Sequence, residues 1–230
     1  MNRHKRQDQI LNIALKVFAR DGYKEPTISQ LVTEAGVSRG TFYLYFQCKK
    51  DILDCLLDRF LGELLIILSR FKLDSLAKNG TYDASLAQTM AHDLSLCLAK
   101  NKPLAKLIWT EATTLERTHQ EKITNYSAQY FNVIEHQIEH GIQTKTFKKV
   151  DTTIISRCFI GAIKEITLAK PALAHVTTME EQMSHLICFL LDGLLADNRH
   201  KEDAMAAEAT QETKQQEVYA TKQLAQNDYC

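Results

Sequence analysis

Ile10, Ile13, Ala14, Val17 and Phe18 recur at three- and four-residue spacing, and Asp21-Gly22 closes the run. This periodicity predicts an amphipathic helix over residues 4–20. Pro26-Thr27 opens a second helix, in which Thr27 followed by Gln30 has the capping-box spacing and Ile28, Leu31 and Val32 face inward. Ala35-Gly36 ends it, because glycine suits a left-handed cap, and Ser38 caps a third helix from Arg39 to Phe46. Two short helices joined by the tight turn A-G-V-S form a helix-turn-helix. On the third helix Phe42 and Phe46 share the inward face, while Arg39 and Tyr43 share another, with Thr41 and Tyr45 beside them. An outward tyrosine offers a flat ring to a thymine methyl or sugar and a hydroxyl to a phosphate.

A long apolar stripe from Ile52 through Leu56, Phe60, Leu64 and Leu68 predicts a fourth helix from Lys49 to about Phe71. It is long enough to leave the first module and enter a second. Further helices are expected near 82–99, 102–113, 117–143, 152–170 and 177–197, and no strand alternation of useful length occurs. The fold class is therefore all-α with about nine helices. Residues 1–48 are expected to form one domain and 49–197 a helical second domain. Residues 198–230 are polar, rich in Gln, Ala and Glu, and read as a disordered or loosely helical tail.

Charge sharpens this division. The formal net charge is zero, yet residues 1–50 carry nine Lys/Arg against four Asp/Glu, leaving 19 and 24 for the remainder. A basic amino-terminal module suggests a polyanionic partner. The six cysteines form no CxxC pair, as expected of free thiols in a reducing compartment. The first residues lack an apolar signal core, and LDCLLDRFLGELLIIL is broken by Asp54, Asp58, Arg59 and Glu63, so a cytoplasmic chain is expected.

The stretch TISQLVTEAGVSRGTFYLYFQCKKDIL resembles the DNA-binding signature of the TetR family of bacterial transcriptional regulators, the resemblance covering roughly residues 8–60. It implies a homodimer whose amino-terminal modules read a palindromic double-stranded DNA operator, usually as a repressor, with a three-helix reading domain joined by the fourth helix to an effector-binding and dimerisation bundle. On that resemblance Arg39 and Thr41 would meet base edges, Tyr43 would meet base and backbone, and Thr27, Tyr45 and Lys49 would hold phosphates. Ser38 belongs to the same set, and Gly40 would permit close backbone approach. Cys48 stands where a small residue or Ser/Asn is common, which suggests oxidation-sensitive binding. The resemblance also implies pairing of subunits through helices near 152–170 and 177–197, where Gly161, Ala162 and Ala169 would let helices approach closely.

GAIKEITLA looks like the eighth helix of family members that sense fatty acyl-CoA esters. A lipophilic small-molecule effector, a fatty acyl-CoA or a drug-like compound, is the corresponding expectation. Met90, Leu94, Cys97, Trp109, Phe131 and Phe159 are candidates to line its pocket, and the same residues suit ordinary core. His136-Gln-Ile-Glu139-His140 matches a literal HxxEH, but a catalytic zinc needs a third ligand, so a surface helix face is expected. No Gly-rich phosphate loop or nucleophile elbow occurs, and the sequence calls for no catalytic residue, metal or cofactor. A helical ligand-binding or protein-interaction module without operator binding is the other reading that the pattern allows.

Overall fold

The computed structural model describes residues 3–73, 77–78, 81–169 and 177–196. The expected tail over 198–230 lies outside them. Nine α-helices order the described chain: α1 Arg3–Asp21, α2 Ile28–Glu34, α3 Arg39–Tyr43, α4 Lys49–Arg70, α5 Ala84–Lys100, α6 Lys102–Glu111, α7 Arg117–Gln143, α8 Thr152–Leu168 and α9 Met179–Leu194. A two-residue hairpin, β1 Ala77–Lys78 with β2 Thr81–Tyr82, bridges α4 to α5, and a 3₁₀ turn at Ala112–Thr114 follows α6.

The periodic apolar residues of α1 become its buried face, and Ile10, Ala14, Val17 and Phe18 pack with Leu31, Phe42 and Phe46. Gly36 has φ +61°, a conformation that lets the chain reverse after α2 without a Cβ penalty. Side chains then tie α1 to α2. Gln9 Nε2 donates to the Ala35 carbonyl at 2.9 Å, and Arg20 reaches both Asp21 and Glu34 at 2.7 Å.

α4 spans 22 residues, about 33 Å at the usual rise per residue, and carries the chain from this head into the bundle. There it packs on α5 and α7, while α8 and α9 pack on each other and on α7 and α5 respectively. Tyr130 donates its hydroxyl to the Leu61 carbonyl at 2.8 Å, and Gln137 donates to Leu68 O at 3.0 Å while accepting from Leu73 N. α7 is thereby pinned along α4 by polar as well as apolar contacts. Gly141 near the end of α7 sits where an added Cβ would fall 2.1 Å from the buried Phe147 ring, so the helix end is packed to contact. The loop beyond it is stitched to the end of α9, Lys148 N donating to Leu194 O and Ala196 N to Thr146 O.

The third helix is shorter than its pattern predicts. Helical structure ends at Tyr43, and Tyr45 N turns to the i−3 carbonyl of Phe42. This tightening directs the chain into the amino end of α4, where Asp51 Oδ2 accepts from Gln47 N at 2.8 Å and from Cys48 N at 3.3 Å.

Candidate nucleic-acid interface

Two side-chain caps build the surface at α2 and α3. Thr27 Oγ1 accepts from Gln30 N at 3.2 Å, and Ser38 Oγ accepts from Thr41 N at 3.0 Å. Each cap satisfies an amide that the first helical turn leaves without a partner. Ser38 and Thr41 hydroxyls lie 2.8 Å apart, and Arg39 donates to the Ser29 hydroxyl, which draws its guanidinium across from α3 to α2.

Tyr43 is 53% exposed and set edge-on to the buried Phe42, with ring centroids 5.6 Å apart. A ring this exposed, held by its neighbour at a fixed angle, is presented outward. Arg39, Gly40 and Ser38 are exposed beside it, and Thr41 is half-buried. The arrangement can present a guanidinium, an aromatic ring and hydroxyls to one groove-sized target. At Gly40 an added Cβ would meet only Ser38 Oγ, at 3.9 Å, so the molecule itself leaves open space there.

Two of the predicted contact residues also take part in the packing of the head. Tyr45, just beyond the end of α3, is half-buried and packs against the core. Lys49 Nζ donates to the carbonyls of Lys24 at 2.7 Å and Pro26 at 3.1 Å and sits 4.9 Å above the Tyr23 ring. Its ammonium thus ties α4 to the loop before α2, and burial lowers its pKa below the ordinary lysine value. One of its three donors is left for an external acceptor. Cys48 is exposed, and its thiol donates to Asp51 Oδ1 at 3.4 Å.

Beneath this surface lies a residue that the sequence reading does not single out. His119, at the start of α7, is completely buried, and among the described residues neither ring nitrogen has a hydrogen-bond partner. Its ring meets Tyr23 edge-on at 6.0 Å, and Nε2 lies 3.5 Å from Asp54 Oδ1 without bonding to it. Lys122 holds Asp54 at 3.1 Å and Asp58 at 2.8 Å. Tyr23, whose hydroxyl burial pushes up to about 12, therefore stands between Lys49 of the head and His119 of the bundle. A histidine in a polar helix start gives no sequence cue to burial, since only the docking of the head covers it.

The pocket candidates are scattered through the bundle. Met90, Leu94 and Cys97 repeat along the buried face of α5, and Phe159 is buried on α8. All four belong to the continuous hydrophobic core. Trp109 is partly buried against it, while the partly exposed Phe131 ring carries the Arg157 guanidinium at 5.1 Å. Cys97 borders a groove of about 560 Å³ between α4 and α5. His136, Glu139 and His140 are exposed on α7, and among the described residues no group of three or more His, Cys, Asp or Glu could hold a metal. No helix among the described residues is long and apolar enough to cross a membrane.

Residues 10–56 match the family model for bacterial regulatory proteins of the tetR family, and residues 86–168 match that for the tetracyclin repressor-like C-terminal domain. The chain is 30% identical over 158 residues to the fatty acid metabolism regulator protein of Bacillus subtilis, covering 68% of this chain and 79% of that one. Its fold is similar to that of Bacillus subtilis FadR in complex with stearoyl-CoA, with TM-score 0.59 and 23% identity over 81% of this chain and 98% of that one. It is also similar to AibR in complex with isovaleryl coenzyme A and operator DNA, with TM-score 0.62 and 18% identity over 81% and 98% of the two chains.

Proposed function

This chain belongs to the TetR family of bacterial regulatory proteins, and from that premise we propose that it is a cytoplasmic repressor, not an enzyme, released from its operator by a fatty acyl-CoA. The observation that carries the DNA half is the outward face of α3, where Arg39, the 53% exposed Tyr43 and the Ser38–Thr41 hydroxyl pair project from a rigid, basic head. In this reading Arg39 and Thr41 meet base edges and Tyr43 meets base and sugar. Thr27 and Lys49 lie against phosphates on either side of the loop between α1 and α2. Tyr45 and Gly40 support the surface, one by packing beneath it and the other by leaving room.

Two heads are needed to read a palindrome, and the bundle supplies the pairing through α8 and α9. The 78% exposed Phe189 on α9 and the 57% exposed Ile154 on α8 are apolar surface of the kind a partner subunit covers. An acyl-CoA fits the effector role because the 30% identical relative regulates fatty acid metabolism, and the two similar folds just described hold acyl-CoA esters. The acyl chain would enter among the apolar residues of α5 to α8. Its effect on DNA is bounded by how differently it binds the two head separations.

Selection of bound sequences from random duplex DNA by the full-length protein tests this reading, with Tyr43→Ala in parallel. A palindrome enriched by the wild type, lost in the variant and released by stearoyl-CoA is the expected outcome. Because Tyr43 is largely exposed, the variant should keep its stability within about 0.5 kcal/mol. Enrichment that survives the substitution would remove α3 from the interface.

A further inference from the structure

A cleft of about 550 Å³ opens where the head meets the bundle, between α1, the middle of α4 and the junction of α5 with α6. Four cations converge on it. Lys16 and Arg20 stand one turn apart on α1, Arg59 comes from α4 and Lys100 from the end of α5. Like charges at i and i+4 disfavour a helix by a few tenths of a kcal/mol, and two more on the opposing wall add to the repulsion.

The carboxylates that offset these charges stand outside the lining. Arg20 turns to Asp21 and Glu34, Arg59 to Asp8 at 2.6 Å and Lys100 to Glu63 at 3.4 Å, whereas none of the cleft-lining residues is acidic. Among the described residues Lys16 has no ion-pair or hydrogen-bond partner. The cleft also receives the amino end of α6, where Asn101 makes no side-chain cap bond and spends its Nδ2 on the Cys97 carbonyl at 2.8 Å. The positive end of that helix therefore adds to the same potential. Leu15, Ala19, Leu56 and Pro103 supply the apolar part of the lining. Arg59 and Lys100 line the adjoining groove as well, which leads to Cys97.

We propose that this cleft binds the phosphate-bearing end of a nucleotide ligand, its phosphates among Lys16, Arg20, Arg59 and Lys100 and its base against the apolar part of the lining. Taken with the acyl-CoA reading above, on which this identification of the ligand rests, the nucleotide end of coenzyme A is its occupant. The groove toward Cys97 then gives the pantetheine arm a route along the bundle. Because one wall belongs to α1 and the other to α5 and α6, the bound phosphates join head to bundle directly. An occupant held from both sides favours one head orientation over others, which is what an effector must do.

Titration calorimetry on the full-length protein tests the site with 3′,5′-ADP, coenzyme A and stearoyl-CoA as probes, for wild type, Lys16→Glu and Lys100→Glu. All three probes are expected to bind the wild type, more weakly as salt rises. Each charge reversal should weaken all three by about tenfold or more, while the melting temperature of Lys16→Glu stays unchanged because Lys16 makes no internal bond. Binding of 3′,5′-ADP lost in Lys16→Glu, with no binding of stearoyl-CoA to wild type, would support the cleft and overturn the acyl-CoA reading. Stearoyl-CoA binding that neither variant alters would overturn the cleft and leave the acyl-CoA reading standing. Failure of every probe to bind would overturn both.

Discussion

His119 occupies a position that ordinary core packing does not favour. A fully buried imidazole with both nitrogens unsatisfied forfeits the water it would bond in the unfolded chain, a cost of about 1–3 kcal/mol. Its neighbours explain why the site matters: Tyr23 and Asp54 reach it from the head side, and α7 carries it from the bundle. Replacing it with an apolar side chain of similar size removes the penalty and keeps the packing. His119→Leu should therefore leave thermal stability unchanged or raise it by up to about 2 kcal/mol, read from denaturant melts. A loss of that size instead would mean that the imidazole is bonded in solution. The release of DNA by effector should weaken in the same variant, since Tyr23 would lose its polar neighbour across the junction.

At the scale of elements, the start of α4 is sensitive to pH. Asp51 accepts hydrogen bonds from the Gln47 amide and from the Cys48 amide and thiol, and these hold its carboxyl below the usual carboxylate range. A carboxyl whose pKa is depressed on folding contributes stability that is complete above its unfolded value and is lost as pH falls through the folded one. Asp51→Asn should accordingly be less stable than wild type at neutral pH, with the gap closing below the ordinary carboxylate range. Urea melts over about five pH units spanning the ordinary carboxylate range would read it. A gap independent of pH would assign the effect to geometry instead of charge. The same logic applies to Glu181, held low by the Thr178 amide at the start of α9.

At the scale of the whole molecule, the proposed reading requires two heads held at a fixed spacing. Phe189 is 78% exposed on α9, which packs on α8, the helix paired with it in the proposed dimer. Phe189→Glu should convert dimers to monomers in sedimentation velocity while each chain stays folded. Operator affinity should fall with it, because a single head gives up the effective concentration that its partner supplies. Persistence of the dimer would place the seam on another face. Operator affinity of the intact dimer should also decline steeply with salt, as phosphate contacts through Lys and Arg require.

Local chemistry determined a great deal of this protein. The caps Thr27 and Ser38, the left-handed Gly36 and the stripe from Ile52 to Leu68 each act within a turn or two of chain, so nearly every helix could be placed within a few residues of where it forms. The outward Arg39–Tyr43 face was legible for the same reason, since helical spacing alone separates it from Phe42 and Phe46. Only the tertiary structure decided what depends on distant partners. Lys49 turns to carbonyls 25 and 23 residues earlier in the chain, Tyr45 folds back against the core, and Met90, Leu94 and Phe159 join the interior of the bundle. Neither the burial of His119 nor the meeting of Lys16 with Lys100 has any counterpart in local periodicity. Both arise where the head docks on the bundle, and a pattern of three- and four-residue steps carries no information about which faces of separate helices will meet.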